Sequence, residues 1–180
     1  MTAAARRLIL RAMPDPAPPP AWTRPLRRAT TTFENEVDIA VAPSQVADFL
    51  GDFANFARIH PLIVDIAQGR PRPEAPAGPA RRWYKVTDRL PLGPIPIYIR
   101  YDVALADGGP QALLFEAWQW PRIHLYNRIS WQALPQGGTR VREELTLQAP
   151  GLLVALVGRM AQAAHAESFA RLKARLEAEK

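Results

Sequence analysis

Several polar side chains share a strand face with apolar residues, and these are the first candidates for chemistry. If alternate residues of each strand face inward, Asn35, Gln119, Asn127 and Glu143 lie in apolar surroundings. Because a buried polar group needs a partner, these side chains satisfy one another, bind water or contact a ligand. Glu143 is the sharpest case, since a desolvated carboxyl has a raised pKa and can act as a general acid or base. The alternative is exposure near the strand end or a salt bridge with one of three arginines: Arg100, Arg128 or Arg142.

The histidines are the other titratable candidates for catalysis or ligand binding. His60 precedes Pro61 at the end of a predicted helix, where an imidazole can bind a polar ligand head, shuttle a proton or simply cap the turn. His165 lies one turn before Phe169 on a predicted helix and can face the interior, whereas we expect His124 to be solvated. Because the chain has no cysteine and no short histidine spacing, we predict no metal site and no other cofactor.

Large apolar side chains supply candidates for the wall of a ligand cavity. Trp118 and Trp131 fall in predicted strands, and Met160 lies on the apolar stripe of the last predicted helix. Such side chains serve either to pack a core or to line a pocket. The full set of cavity candidates is Asn35, His60, Trp118, Gln119, Asn127, Trp131, Glu143, Met160 and His165.

The elements that must position these residues follow from hydrophobic periodicity. Residues 33–41 alternate as a half-buried strand does. Ser44 is expected to cap a short helix over 45–50, and a second short helix is predicted over 53–59. Glycine-rich turns at 107–109 and 136–138 favour antiparallel hairpins. The further strands are predicted at 62–68, 81–90, 95–106, 111–120, 122–134 and 139–148.

The last thirty residues predict one long amphipathic helix. Pro150 is expected at its first position, and apolar residues then recur at three- and four-residue spacing. The order of elements predicts an α+β fold of the helix-grip type, in which a curved antiparallel sheet of about seven strands carries two short helices after strand 1 and a long C-terminal helix over its concave face. Because one helix is only about 10 Å wide, we expect it to leave an apolar cavity.

The first 32 residues differ from the rest of the chain in charge and in proline content. Residues 1–32 carry a net charge of +5, whereas residues 33–180 carry 17 basic and 16 acidic side chains. We therefore predict a basic, proline-rich N-terminal tail and a domain over 33–180, without a nucleic-acid-binding function. A transit peptide or an anchor that makes weak contact with an anionic membrane remains open for the tail. We expect a cytoplasmic monomer or homodimer.

Three blocks of the sequence carry a family resemblance. They are VDIAVAPSQVADFL at 37–50, FANFARIHP at 53–61 and the terminal helix through ARLK at 170–173. With them the chain resembles the START-like superfamily, also called SRPBCC, over residues 33–179. This superfamily includes the birch-pollen-allergen fold, the polyketide cyclase/dehydrase proteins and the coenzyme-Q-binding proteins. The proline-rich loop at 70–80 and the N-terminal extension depart from the family pattern.

The resemblance implies an internal cavity for lipids, quinones, polyketides, sterols or similar molecules, with catalysis in some members. The expected function is therefore binding or transport of a hydrophobic small molecule or lipid in that cavity. The alternative is a polyketide cyclase/dehydratase-type enzyme, in which Glu143, Asn127 and His60 move protons. A third possibility is an interaction domain that its basic N-terminal segment brings to membranes or partners.

Overall fold

The fold is a seven-stranded antiparallel sheet with one long helix, as seen in a computed structural model that describes residues 27–72, 80–90 and 95–179. The strand order is β1-β7-β6-β5-β4-β3-β2. The predicted α+β class, the two short helices after strand 1 and the C-terminal helix are confirmed. The elements are β1 (Arg28–Ile39), α1 (Pro43–Gly51), a 3₁₀ turn (Phe53–Asn55), α2 (Phe56–Ile59), β2 (Ile63–Gln68), β3 (Arg81–Leu90), β4 (Ile97–Asp107), β5 (Ala112–Gln119), β6 (Ile123–Ala133), β7 (Thr139–Pro150) and α3 (Val154–Ala178).

The sheet has one buried inner face, and strand alternation decides which side chains reach it. Odd-numbered residues of β1 and of β4 to β7 point inward, as the alternation predicts, and Val103, Phe115 and Val141 are almost fully buried. The inward-facing residues of β4 are not buried along the whole strand, since Ile97 at its start is 46% exposed. The cause is the register: β4 pairs with β5 only from Asp102 onward, so its first residues have a neighbour on the β3 side alone.

The long helix α3 covers the inner face and packs against β1 and β7. Its buried side chains include Phe169, Leu172 and Leu176, which join the main hydrophobic core. Near the start of the helix, a Cβ on Gly158 would lie 3.0 Å from Cγ2 of Thr31 in β1. A glycine at this position therefore lets the helix approach the strand closely.

Three predicted boundaries are wrong. β1 begins at Arg28, five residues before the predicted start. Ser44 does not cap α1: Ala42 is the N-cap residue, and the Gln45 side chain accepts a hydrogen bond from its N–H at 3.2 Å. Pro150 does not begin α3 but ends β7 opposite Arg28, where a missing N–H is tolerated.

The predictions for residues 1–26 and for most of the proline-rich loop, 73–79, lie outside the described residues. The division into a tail and a domain therefore stays a prediction. Among the helices of the described ranges, none combines the length and the hydropathy that a membrane span requires.

Candidate functional site

The centre of the candidate site is the carboxylate of Glu143, which is 1% exposed. Its Oε2 accepts a hydrogen bond from Asn35 Nδ2 at 2.7 Å, and its Oε1 accepts one from Asn127 Nδ2 at 2.6 Å. Nδ1 of His165 lies 2.8 Å from the same Oε1. Four elements contribute, namely β1, β6, β7 and α3. Glu143 thus has polar partners other than Arg100, Arg128 and Arg142, and the salt bridge considered above is not formed.

The charge state of Glu143 differs from the expectation. Burial alone would raise its pKa, but the positive potential of His165 and the hydrogen bonds from His165, Asn35 and Asn127 outweigh this effect and lower it. The expected raised pKa is therefore wrong, and Glu143 is an ionised acceptor rather than a reservoir of protons. The strand pattern gave no sign of the imidazole that makes the difference.

The ionised carboxylate fixes the orientation of His165. Because a carboxylate only accepts hydrogen bonds, Nδ1 of His165 carries the proton that points to Glu143. In the neutral form of His165 the other ring nitrogen, Nε2, then accepts a hydrogen bond, or a proton, from a molecule in front of it, and in the protonated form it donates a hydrogen bond. Oδ1 of Asn127 is also buried without a hydrogen-bond partner among the described residues, but Asn127 does not line the cavity beside the cluster.

A small cavity lies beside this polar cluster, between α1, α2, α3 and the sheet. Its volume is about 20 Å³, which holds about one water molecule, whereas ligand pockets measure roughly 300–1,000 Å³. The interior of the described chain therefore holds far less space here than we expected. Aromatic rings fill much of the interior beside the cavity. Phe53 packs against Phe56, Tyr84 and Phe115 at centroid distances of 4.5–5.9 Å. The cavity is lined by Leu50, Phe56, Ile59, His60, Ile129, Glu143, His165, Ser168, Phe169 and Leu172.

His60 caps a turn and also lines the cavity. Its Nδ1 accepts a hydrogen bond from the N–H of Leu62 at 3.4 Å, so it caps the turn after α2. Its ring also lines the cavity, with its centroid 5.3 Å from that of His165. Burial, helped by the positive potentials of His165 and Arg171, lowers the pKa of His60 to about 3. Near neutral pH it is uncharged and a poor proton acceptor, which argues against the proton shuttle.

The family follows from comparison with known sequences. The family described as polyketide cyclase/dehydrase and lipid transport matches residues 30–177. This chain belongs to that family. The START-like, SRPBCC resemblance is thereby confirmed, and with it a fold that binds ligands. No curated protein matches the sequence.

Solved structures share the fold of this polyketide cyclase/dehydrase family member at low sequence identity. The di-domain ARO/CYC StfQ from the steffimycin biosynthetic pathway superposes with a TM-score of 0.64 and 12% identity, over 88% of this chain and 54% of StfQ. The Zhui aromatase/cyclase from Streptomyces sp. R1128 gives 0.61 and 12%, over 83% and 94%. A START superfamily protein from Mycobacterium smegmatis gives 0.61 and 14%, over 83% and 99%. The chain spans about half the length of the di-domain proteins.

Four predicted cavity residues of this family member lie away from the cluster. Trp118 is on the outer face, stacked between Trp83 and His124 at centroid distances of 5.6 and 5.3 Å, so its assignment to the cavity is wrong. Gln119 faces inward but ends β5, about 20 Å along the sheet from Glu143. Trp131 and Met160 do not line the cavity, and Trp131 is part of the core.

His124 is on the outer face, as expected, but it is half-buried rather than solvated. Its ring stacks on Trp118, and its Nε2 lies 3.7 Å from Oε2 of Glu116. Burial lowers its pKa, although the negative charge of Glu116 acts in the opposite direction. The strand pattern identified the correct face but not the stacking partner.

Sequence reasoning missed a second buried acid on the inner face. Asp88 in β3 is 9% exposed, and its Oδ1 accepts a hydrogen bond from the Tyr101 hydroxyl at 3.1 Å. Burial raises the pKa of Asp88 to about 6, although the Tyr101 hydrogen bond and the charge of His165 act against this. Even-numbered residues of β3 pair with the inward residues of β4, and that register was the missing signal. In the described part of the chain, no group of three His, Asp or Glu side chains could hold a metal ion.

Proposed function

We propose that this protein binds a hydrophobic small molecule that carries a hydrogen-bonding group, such as a lipid, a quinone or a polyketide-like compound. The molecule would lie between α2, α3 and the inner face of the sheet, with its polar group against His165. The observation that carries this proposal is the buried Glu143 carboxylate, which holds His165 in the wall of an otherwise largely apolar cavity. Burying a carboxylate in a core is seldom favourable for stability alone, which supports a functional role for Glu143.

A ligand needs more room than about 20 Å³, so part of the wall must move when it binds. The best candidate for movement is α2, which has only four residues and supplies Phe56 and Ile59 to the wall. Phe56 is half-buried, and its ring packs edge-on against Phe115 at 5.2 Å. Displacing this ring would enlarge the cavity toward Phe53 and Phe115.

The proposal predicts that Phe56→Ala binds a neutral aromatic alcohol, 2-naphthol, about tenfold more tightly than the native protein, because the ligand no longer has to displace the ring. Titration followed by the fluorescence of 2-naphthol measures the affinity. The control is Tyr126→Ala, which removes an aromatic side chain from the outer face and should leave the affinity unchanged. Equal or weaker binding by Phe56→Ala would contradict the proposal, as would a purified protein whose organic-solvent extract contains no stoichiometric hydrophobic compound by mass spectrometry.

A second candidate function is a polyketide cyclase-type reaction, and the orientation of His165 favours it. With Nδ1 held by Glu143, Nε2 can remove a proton from a carbon between two carbonyl groups of a poly-β-ketone. The resulting enolate carbon attacks another carbonyl of the same chain and forms a ring bond. The imidazolium then returns its proton to the new alkoxide, so that the base is regenerated.

The enzyme hypothesis predicts that His165→Gln lowers the rate of cyclisation of a poly-β-ketone by about 10²–10⁴-fold. Product formation is measured by chromatography, and substrate binding by its quenching of tryptophan fluorescence. Gln162→Ala, on an exposed position of the same helix, is the control. Binding without turnover in the native protein would favour the carrier, and an unchanged rate in His165→Gln would exclude this imidazole as the base.

A further inference from the structure

Six of the eight large apolar side chains that are exposed in the described chain lie at one end of the sheet, and the other two are Val64 in β2 and Tyr126 on the outer face of β6. This is the end at which β4 and β6 begin and β5 and β7 end. We call these six residues the rim patch: Ile95, Ile97, Tyr98, Trp120, Leu152 and Leu156. Trp120 is 85% exposed, Leu152 75% and Ile95 74%. The described turns at the opposite end, 107–111 and 134–138, expose no large apolar side chain.

The rim patch extends across the fold because its segments belong to neighbouring strands. Trp120 lies in the turn between β5 and β6, and Leu152 lies in the turn between β7 and α3. The four strands from β4 to β7 are adjacent, so the patch spans about 15 Å across them. Ile97 and Tyr98 precede the point at which β4 pairs with β5, and they project past the end of that neighbour. An apolar surface of this kind on a monomer indicates an interaction site.

Basic side chains lie on the β5–α3 side of the rim patch, and acidic ones are absent from the segments that form that side. The Arg28 side chain donates a hydrogen bond to the carbonyl of Arg122 at 3.4 Å. The carbonyl of Arg27 accepts one from the N–H of Gly151, which precedes Leu152, at 2.8 Å. Segments 27–33, 117–142 and 145–166 contain no aspartate or glutamate. The charge of this side is therefore uniformly positive.

We propose that the rim patch docks on an anionic lipid bilayer. Trp120 and Leu152 enter the boundary between headgroups and acyl chains, where tryptophan and leucine are favoured, and Arg27, Arg28 and Arg122 contact lipid phosphates. The combination of exposed aromatic and aliphatic side chains with arginines, without acidic residues, fits this surface and disfavours a basic partner. This inference goes beyond ligand binding and does not depend on it.

Docking at this end would also bring the C-terminal end of α2 close to the lipid. The carbonyl of Leu62, two residues after the cavity residue His60, accepts a hydrogen bond from the N–H of Arg89 at 2.8 Å. Arg89 pairs with Tyr98 of the rim patch. The C-terminal end of α2 therefore lies at the docked end of the molecule, whereas Glu143 lies about 20 Å further along the sheet.

The test uses the full chain and vesicles of phosphatidylcholine with 30% phosphatidylserine, with binding measured by flotation. The double variant W120A/L152A should lose binding by about tenfold or more, and Arg122→Gln should weaken it about fivefold. Tyr126→Ala, an exposed aromatic on the outer face of β6, is the matched control and should bind as the native protein does. Circular dichroism checks that these surface variants are folded.

The variants keep residues 1–26, so any binding that those residues provide is the same in all of them. Unchanged vesicle binding by W120A/L152A would therefore overturn the proposal. Equal binding to vesicles of phosphatidylcholine alone would overturn it too, because the arginines would then have no role. A native dimer that W120A/L152A converts to a monomer, without vesicle binding by either protein, would show that a second copy of the chain covers the patch.

Discussion

Glu143→Gln should lower the free energy of unfolding by about 3–5 kcal/mol at pH 7, because it removes the charged member of a buried network. Oε1 of Glu143 accepts hydrogen bonds from Asn127 and from His165, and Oε2 accepts a hydrogen bond from Asn35. A glutamine has one acceptor oxygen, so its NH₂ group must face one of these donors, and a buried donor is left unsatisfied. Urea denaturation, followed by tryptophan fluorescence, measures the change.

The matched control for this prediction is Glu144→Gln, which changes the next residue on the outer, exposed face of β7. It should alter the free energy of unfolding by no more than about 0.5 kcal/mol. The pKa of folded Glu143 is below the ordinary value of 4.5, so its contribution is present above that pH and lost as the pH falls through the folded pKa. The penalty of Glu143→Gln should shrink accordingly in acid. Equal destabilisation by the two variants would contradict the network.

The faces of the sheet could be predicted from the sequence, and so could the polar residues in apolar surroundings. The period of two placed Asn35, Asn127 and Glu143 on inner faces, because alternation is a local property of a strand. Their meeting depends on register, which sets Asn35 opposite Glu143, and Glu143 opposite Ile129. The position of His165 depends further on how α3 crosses the sheet. Neither the register of the strands nor the placement of α3 is encoded in a local sequence pattern, so the charge state of Glu143 could not be derived.

The size of the cavity was out of reach for a related reason. The width of a helix sets the space between α3 and the sheet, but not which side chains fill it. Phe53 and Phe56 lie on short elements after β1, and their rings turn into that space and pack on Phe115. Trp118 illustrates the opposite error. Its size suggested a cavity wall, but it directly follows the inward-facing Ala117 and therefore lies on the outer face.

Asp88→Asn should stabilise the protein by about 1–3 kcal/mol at pH 8 and by about a third as much at pH 4.5, which lies just above the ordinary pKa of aspartate. Folded Asp88 has a pKa of about 6 against an ordinary value of 3.8, so the native state binds more protons than the unfolded state between these values. Its contribution to stability therefore falls as the pH rises through this window, by about 3 kcal/mol for two pKa units. Asparagine removes the charge, and its Oδ1 can still accept the hydrogen bond from Tyr101.

The pH profile of the native protein alone would hide this effect, because His60 acts in the opposite direction. Its pKa is about 3 when folded and 6.5 ordinarily, so its contribution to stability rises with pH over nearly the same window. The difference in urea midpoint between Asp88→Asn and the native protein isolates Asp88, since His60 is common to both. Asp65→Asn, at an exposed position on β2, should show no such difference. A variant that is equally destabilised at pH 4.5 and pH 8 would mean that Asp88 is held ionised by its surroundings, and that burial does not govern its protonation.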